Sequence, residues 1–158
     1  MNIKNYTSKV PVSQTISRIE QILADFGAKA IGKNYEGGKV SSITFQLAMN
    51  GKDFLVRLPA DPEAVYRSLR AEVKKPHNGT LERLQQQCDR TAWKIQQDWL
   101  EVELSLVRLN QKEPLQAFLA YVWDGKRTYF HHLKERGFKA MIPETCDDIQ
   151  PHQKGDVK

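Results

Sequence analysis

A chain of 158 residues is long enough for one domain with a real core, and its 27% charged and 40% hydrophobic fractions are those of an ordinary globule. Lysine and arginine number 24 against 19 aspartates and glutamates, a net charge of +5 and a pI near 9.2, which permits a phosphorylated or nucleic-acid ligand without demanding one. Two cysteines, Cys88 and Cys146, make no disulfide framework; no run reaches membrane-span length and MNIKNYTSKVPVSQ holds no secretory h-region, so no membrane contact and a cytoplasmic location are expected.

Residues 1–11 read as a polar leader ending at Pro11. Ser13 is the expected N-cap of a first helix in which Ile16, Ile19, Leu23 and Phe26 recur at helical spacing until Gly27 stops it. Three strands follow, AKAIGKNY, KVSSITFQLAM and KDFLVRL, separated by Gly37-Gly38 and Asn50-Gly51. A two-residue Asn-Gly loop sets Leu47 opposite Phe54, Phe45 opposite Val56 and Ile43 opposite Leu58, all on one face. At Gly37-Gly38 a two-residue loop would turn Ile31 to the wrong face. A three- or five-residue loop with a bulge, placing Ile31 beside Ile43 or Phe45, is therefore expected there. The other face carries Thr44, Gln46, Asp53, Leu55 and Arg57 and is mostly polar.

Asp61-Pro62-Glu63 opens a second helix with Val65, Leu69 and Val73 inward. Residues 74–79 read as a linker and Thr80 as the cap of a helix over 81–110, roughly 45 Å long. Its main apolar stripe is Leu81, Leu84, Cys88, Ala92, Ile95, Trp99, Val102, Leu106 and Leu109, close to a heptad seam, with Trp93, Leu100, Leu104 and Val107 on an adjacent face. Trp93 and Trp99 lie about 120° apart around such a helix and need cover from two directions. PLQAFLAYVW is expected to be a helix from Pro114 with Leu115, Phe118, Leu119 and Val122 inward, broken by Asp124-Gly125, and RTYFHHLKERG a last short one. The fold class is α+β: a three-stranded antiparallel meander with one N-terminal helix, then a helical C-terminal half with one long helix. The divisions are an αβββα subdomain over 1–75, a helical region over 80–142 and a disordered tail over 143–158.

No catalytic set emerges. His131 and His132 are adjacent, so they diverge by about 100° on a helix, and no further ligand stands three or four residues away. Asp98, Glu101 and Glu103 face different ways, and Gly37-Gly38 is followed by no helix N-terminus and no Lys-Ser/Thr. No catalytic residue, metal or cofactor is assigned. The candidate functional surface is basic and aromatic: Arg57, then Tyr66, Arg67 and Arg70, then Arg90, Trp93 and Lys94, with Lys126, Arg127 and Tyr129 after the last turn. Guanidinium groups and rings suit phosphates and bases.

Three marks, Asn5-Tyr6-Thr7, Arg57-Leu58-Pro59 and Ala92-Trp93 with Asp98-Trp99, carry a resemblance over residues 3–123. In these the chain resembles a family of small accessory proteins of tailed bacteriophages and prophages for which no activity is settled. The resemblance implies a setting, the cytoplasm of an infected bacterium, and no site residues. The expected function is a non-enzymatic, counter-defence binding protein that sequesters a phosphorylated nucleotide. The alternatives are a single-stranded DNA-binding accessory protein of replication or recombination, and an inhibitor that binds a host defence protein through an apolar patch. The long seam points to a homo-oligomer, most simply a dimer, with a pocket for Trp93 between subunits.

Overall fold

Glycine-bearing turns fold residues 30–59 back and forth into a sheet, because each places two consecutive residues at the positive φ that a tight hairpin requires. β1 (Ala30–Glu36), β2 (Lys39–Met49) and β3 (Lys52–Pro59) form an antiparallel meander in that order. A computed structural model of the chain describes residues 3–72 and 78–142. Val73, most of the expected linker, Cys146 and the tail over 143–158 lie outside the described residues.

At the second turn, Asn50 (φ 50°) and Gly51 (φ 74°) give the expected register, with Ile43, Phe45 and Leu47 opposite Leu58, Val56 and Phe54. The first turn departs from expectation. Glu36 pairs directly with Lys39 around Gly37-Gly38, so the loop has two residues, and the bulge lies inside the ladder instead. Asn34 pairs with Ser42 and Tyr35 with Val40, leaving Ser41 as the extra residue. The phase shift still sets Ile31 opposite Phe45.

α1 (Val12–Phe26) lays Ile16, Ile19, Ile22 and Leu23 into the core. It begins before Ser13: the Pro11 carbonyl already accepts from the Thr15 amide at 3.1 Å, so Pro11 is the cap residue and Ser13 lies within the helix. Gly27 ends it in the left-handed conformation, as expected. α2 (Pro62–Arg70) starts as its sequence dictates, with the Asp61 carboxylate accepting from the Ala64 amide at 2.8 Å and Pro62 in the first turn.

α3 (Asn78–Arg108) is the spine, and Thr80 lies inside it rather than capping it. The two stripes exchange roles. Trp93 (1% exposed), Leu100 and Leu104 enter the core with the sheet and α1, whereas the longer stripe divides. Cys88 and Ala92 are buried in the half of α3 where α2 packs, but Val102 and Leu109 are 56% and 65% exposed. The core seam 93–97–100–104 has heptad spacing too. It was hidden by Gln97, which is buried on it and donates to the Glu101 carboxylate at 3.0 Å.

After α4 (Pro114–Phe118) the chain makes a 3-10 turn over Leu119–Tyr121. Phe118 is buried edge-on against Phe45 and Trp99, with centroids 5.6 and 6.1 Å away, and Tyr121 leans on Trp99 at 5.3 Å. These rings cover the second tryptophan. The helix expected to run to Trp123 stops here: Val122 bridges to Val56 of β3 and Trp123 bridges to Thr128, while Leu119 is exposed. α5 (Tyr129–Glu135) follows, then a 3-10 turn at Lys139–Met141. One buried cluster draws on α1, β2, β3, α3 and α4, from both sides of the expected division between 1–75 and 80–142. No helix of the described residues is long and apolar enough to cross a membrane.

The leader is docked rather than loose. Gln87 donates to the carbonyls of Tyr6 and Ser8, Thr91 to that of Asn5 at 3.3 Å, and Arg90 to that of Ser8 at 3.3 Å. Asp98 closes the row, accepting from Asn5 at 3.0 Å and paired with Lys4 at 3.1 Å and Lys94 at 3.0 Å. Burial alone would push its carboxyl up; the hydrogen bonds from Asn5, Lys4 and Lys94 more than offset this and hold its pKa at about 2.

Two outcomes are expected. Leu104→Ala should cost about 2–5 kcal/mol in urea unfolding, against under about 1 kcal/mol for Val102→Ala on the other stripe; equal losses would contradict the assignment of the core seam. Because the Asp98 carboxyl is depressed in the folded chain, its contribution is fully present above pH 4 or so. It should be lost as pH falls towards 2, to the order of 2 kcal/mol, and Asp98→Asn should lack that component of the acid transition.

Candidate functional site

Because Ile43, Phe45, Leu47, Val56 and Leu58 point inward, strand alternation turns Ser42, Thr44 and Arg57 to the outer face. There they form a linked set. The Asn34 amide donates to the Ser42 hydroxyl oxygen at 3.1 Å and to Thr44 Oγ1 at 2.9 Å, and Arg57 Nε donates to the same Ser42 oxygen at 3.0 Å. Ser42 is 1% exposed, so both bonds are shielded from water. The bulge brings Ser41 to the same edge, its hydroxyl donating to the Asn34 carbonyl at 3.3 Å.

The second half of the site comes from residues 122–131. The Trp123 amide donates to the Leu55 carbonyl at 2.8 Å, and the Tyr129 amide to the Val122 carbonyl at 2.8 Å, so the segment adds a short hairpin to the β3 edge. Asp124 holds the hairpin tip: one carboxylate oxygen accepts from the Lys126 and Arg127 amides, each at 2.8 Å, and the other meets His132 Nε2 at 2.7 Å. The two backbone donors, then the histidine, hold its carboxyl far below the usual carboxylate range. Trp123 lands against Arg57, whose Cζ is 5.4 Å from the ring centroid. Its indole N–H is fully shielded and has no acceptor among the described residues, an unusual cost for a buried donor.

Between these halves lies a groove of about 310 Å³, lined by Arg57, Lys126 and Arg127 against one carboxylate, Glu36. Ser41, Ser42, Thr128, His131 and Trp123 complete the polar and aromatic wall, with Pro59 and Ala60 the apolar part. Arg127 is paired with Glu135, but Arg57 and Lys126 have no carboxylate within 4 Å among the described residues. Thr128 Oγ1 and His131 Nδ1 are 2.6 Å apart, which leaves the other ring nitrogen of His131 for another partner. The chemistry on offer is donors and positive charge for an anion. No three metal-ligating side chains converge among the described residues.

Of the expected site residues, Arg57, Lys126 and Arg127 meet in the groove, and Tyr129 does not line it. Trp93 is corrected: its ring is enclosed among Ile, Leu and Phe side chains of the core, and is presented neither to a ligand nor to a second subunit. Arg90 is engaged by the Ser8 carbonyl and Gln87, and Lys94 by Asp98, so both serve the leader. Tyr66, Arg67 and Arg70 lie on α2 and do not line the groove. Trp123, Ser41 and Ser42 do line it and were not singled out, and His131, weighed from the sequence only as a metal ligand, lines it too. A signal for Trp123 was present: Asp124-Gly125 between Val122-Trp123 and Thr128-Tyr129 is a hairpin pattern as well as a helix stop.

Comparison with protein-family models, with curated proteins and with solved structures gave no match.

Asp124→Ala removes the acceptor of both tip amides and the partner of His132. It should speed hydrogen exchange at the Trp123 and Tyr129 amides about tenfold or more while leaving the β2 amides unchanged, as local rather than global opening would. Unchanged exchange at Trp123 would mean that the tip does not hold the hairpin.

Proposed function

We propose that this chain is a non-enzymatic binding protein of phage origin that captures a phosphorylated nucleotide, with the groove at Arg57 as the capture site. One observation carries the reading: Arg57 is fixed from two sides, by Ser42 and by the Trp123 ring, yet has no carboxylate partner among the described residues, and it shares its groove with Lys126, which has none among them either. Holding a guanidinium in place without neutralising it favours a ligand that brings the negative charge. The resemblance to phage accessory proteins supports a counter-defence setting in the cytoplasm of the infected cell, where occupying a nucleotide signal is useful without turning it over. Single-stranded DNA binding is less well supported, because it needs a continuous basic track. Here the remaining candidate cations lie on α2 or are tied to the leader and Asp98.

A specific observation favours a second role alongside the first. Val102 on the spine helix and Leu109 just past its end are exposed, apolar positions suited to a second copy or a host defence protein.

Heating the protein purified from phage-infected cells, removing the precipitate and analysing the supernatant by mass spectrometry should release a nucleotide in fixed ratio to protein. Calorimetric titration with that nucleotide should show Arg57→Ala weakening binding by about 10- to 100-fold. Affinity should fall far less steeply with salt than for a DNA track of six or more phosphate contacts. Protein that carries no nucleotide, either as isolated or after incubation with infected-cell extract, would sink the reading.

A further inference from the structure

We infer that the groove recognises the phosphates and not the base, and that Trp123 is a positioning residue for Arg57 rather than a stacking platform. The inference rests on the reading of the groove as a nucleotide site. One face of the Trp123 ring is already occupied, since the Arg57 guanidinium lies over it with Cζ 5.4 Å from the centroid. Among the described lining residues no other Trp, Tyr or Phe offers a ring to a base. The Arg57 guanidinium is oriented further by its Nε–H, which donates to Ser42 at 3.0 Å, and Ser42 is itself held by Asn34 at 3.1 Å. With Nε used and one face covered, what remains are the two terminal nitrogens, which have no partner among the described residues. A planar pair of donors matches two oxygens of one phosphate group, and Lys126 adds a point charge beside it.

Base-reading groups are scarce. The Ser42 hydroxyl oxygen already accepts from both Asn34 and Arg57, and the Thr128 hydroxyl is engaged with His131. That leaves the Ser42 O–H, the far ring nitrogen of His131 and the Glu36 carboxylate as the few polar groups a base could meet. Discrimination between bases requires such groups to be free and oriented. The ligand class is therefore a nucleoside polyphosphate, or another phosphoanhydride, held by its phosphate end with tolerance at the base.

The test is calorimetric titration of the full chain with ATP, GTP, CTP and UTP, with inorganic pyrophosphate and with adenosine. The four triphosphates should bind within about threefold of one another, pyrophosphate should compete with them, and adenosine should not bind. Trp123→Leu should weaken pyrophosphate binding about tenfold although that probe has no base to stack, and Trp123→Phe, which keeps a ring beneath the guanidinium, should restore most of it. Arg57→Lys should not restore the loss caused by Arg57→Ala, because an ammonium lacks the two-pronged donor edge. Circular dichroism on each variant separates these losses from unfolding. One base preferred by more than about tenfold, or pyrophosphate binding unaltered in Trp123→Leu, would overturn the inference while leaving nucleotide capture standing. Absence of binding by every phosphorylated probe, with no nucleotide released from the protein, would remove both.

Discussion

The Asn50-Gly51 turn couples the two faces of the sheet. Side chains alternate along a strand, so the register that buries Ile43, Phe45, Val56 and Leu58 is also the register that presents Ser42, Thr44 and Arg57 outward. A slip of one residue would expose the core and bury an arginine together. Selection for a packed interior is thus also selection for the position of the charged groove, and the site inherits the rigidity of the core without sharing its side chains.

The spine helix distributes the remaining elements around that sheet. α1 and α2 both pack on α3, the leader is bonded along it from Gln87 to Asp98, and Phe118 of α4 reaches the core beside Trp99. Its polar positions are therefore not an inert solvated face. Thr91 and Gln97 are buried with partners, and Lys94 and Asp98 form a short chain of charges that anchors Lys4 and Asn5. Over residues 87–101 this helix of 31 residues carries no exposed side chain, and its exposed side chains lie towards the two ends, at Glu82, Arg83 and Gln86 and at Val102, Ser105 and Arg108.

Much of the fold was legible because local chemistry and long-range packing agree there. Asn50-Gly51 demands one register, Asp61-Pro62 starts a helix wherever it occurs exposed, and Gly27 stops one. Legibility failed where two readings satisfy the same local rule. Both stripes of α3 have heptad spacing, and only the docking of the sheet and α1 selects the one interrupted by Gln97. Asp124-Gly125 ends a helix and also turns a hairpin, and the choice is made by the unpaired edge of β3, which is remote in sequence. The site suffered the same ambiguity. Arg57 and Arg127 carry the same chemistry as Arg67, Arg70 and Arg90, and what separates them is a cavity formed only when residues 122–131 fold onto the sheet. Trp93 stood out because it lay off the longer stripe, and it was misplaced for that same reason.

The hairpin at 122–128 also changes how the molecule can meet copies of itself. A bare three-stranded meander has an accepting edge at each end and can in principle stack into ribbons. Here Val122 and Trp123 occupy the β3 edge, and the chain leaves it at once into α5. That contact covers the middle of β3, at Leu55 and Val56, while at the opposite edge, β1, Lys33 pairs with Glu20 of α1 at 2.9 Å. A strand added along β3 would be interrupted at Leu55 and Val56, so the edge offers a second chain two short segments rather than one continuous template.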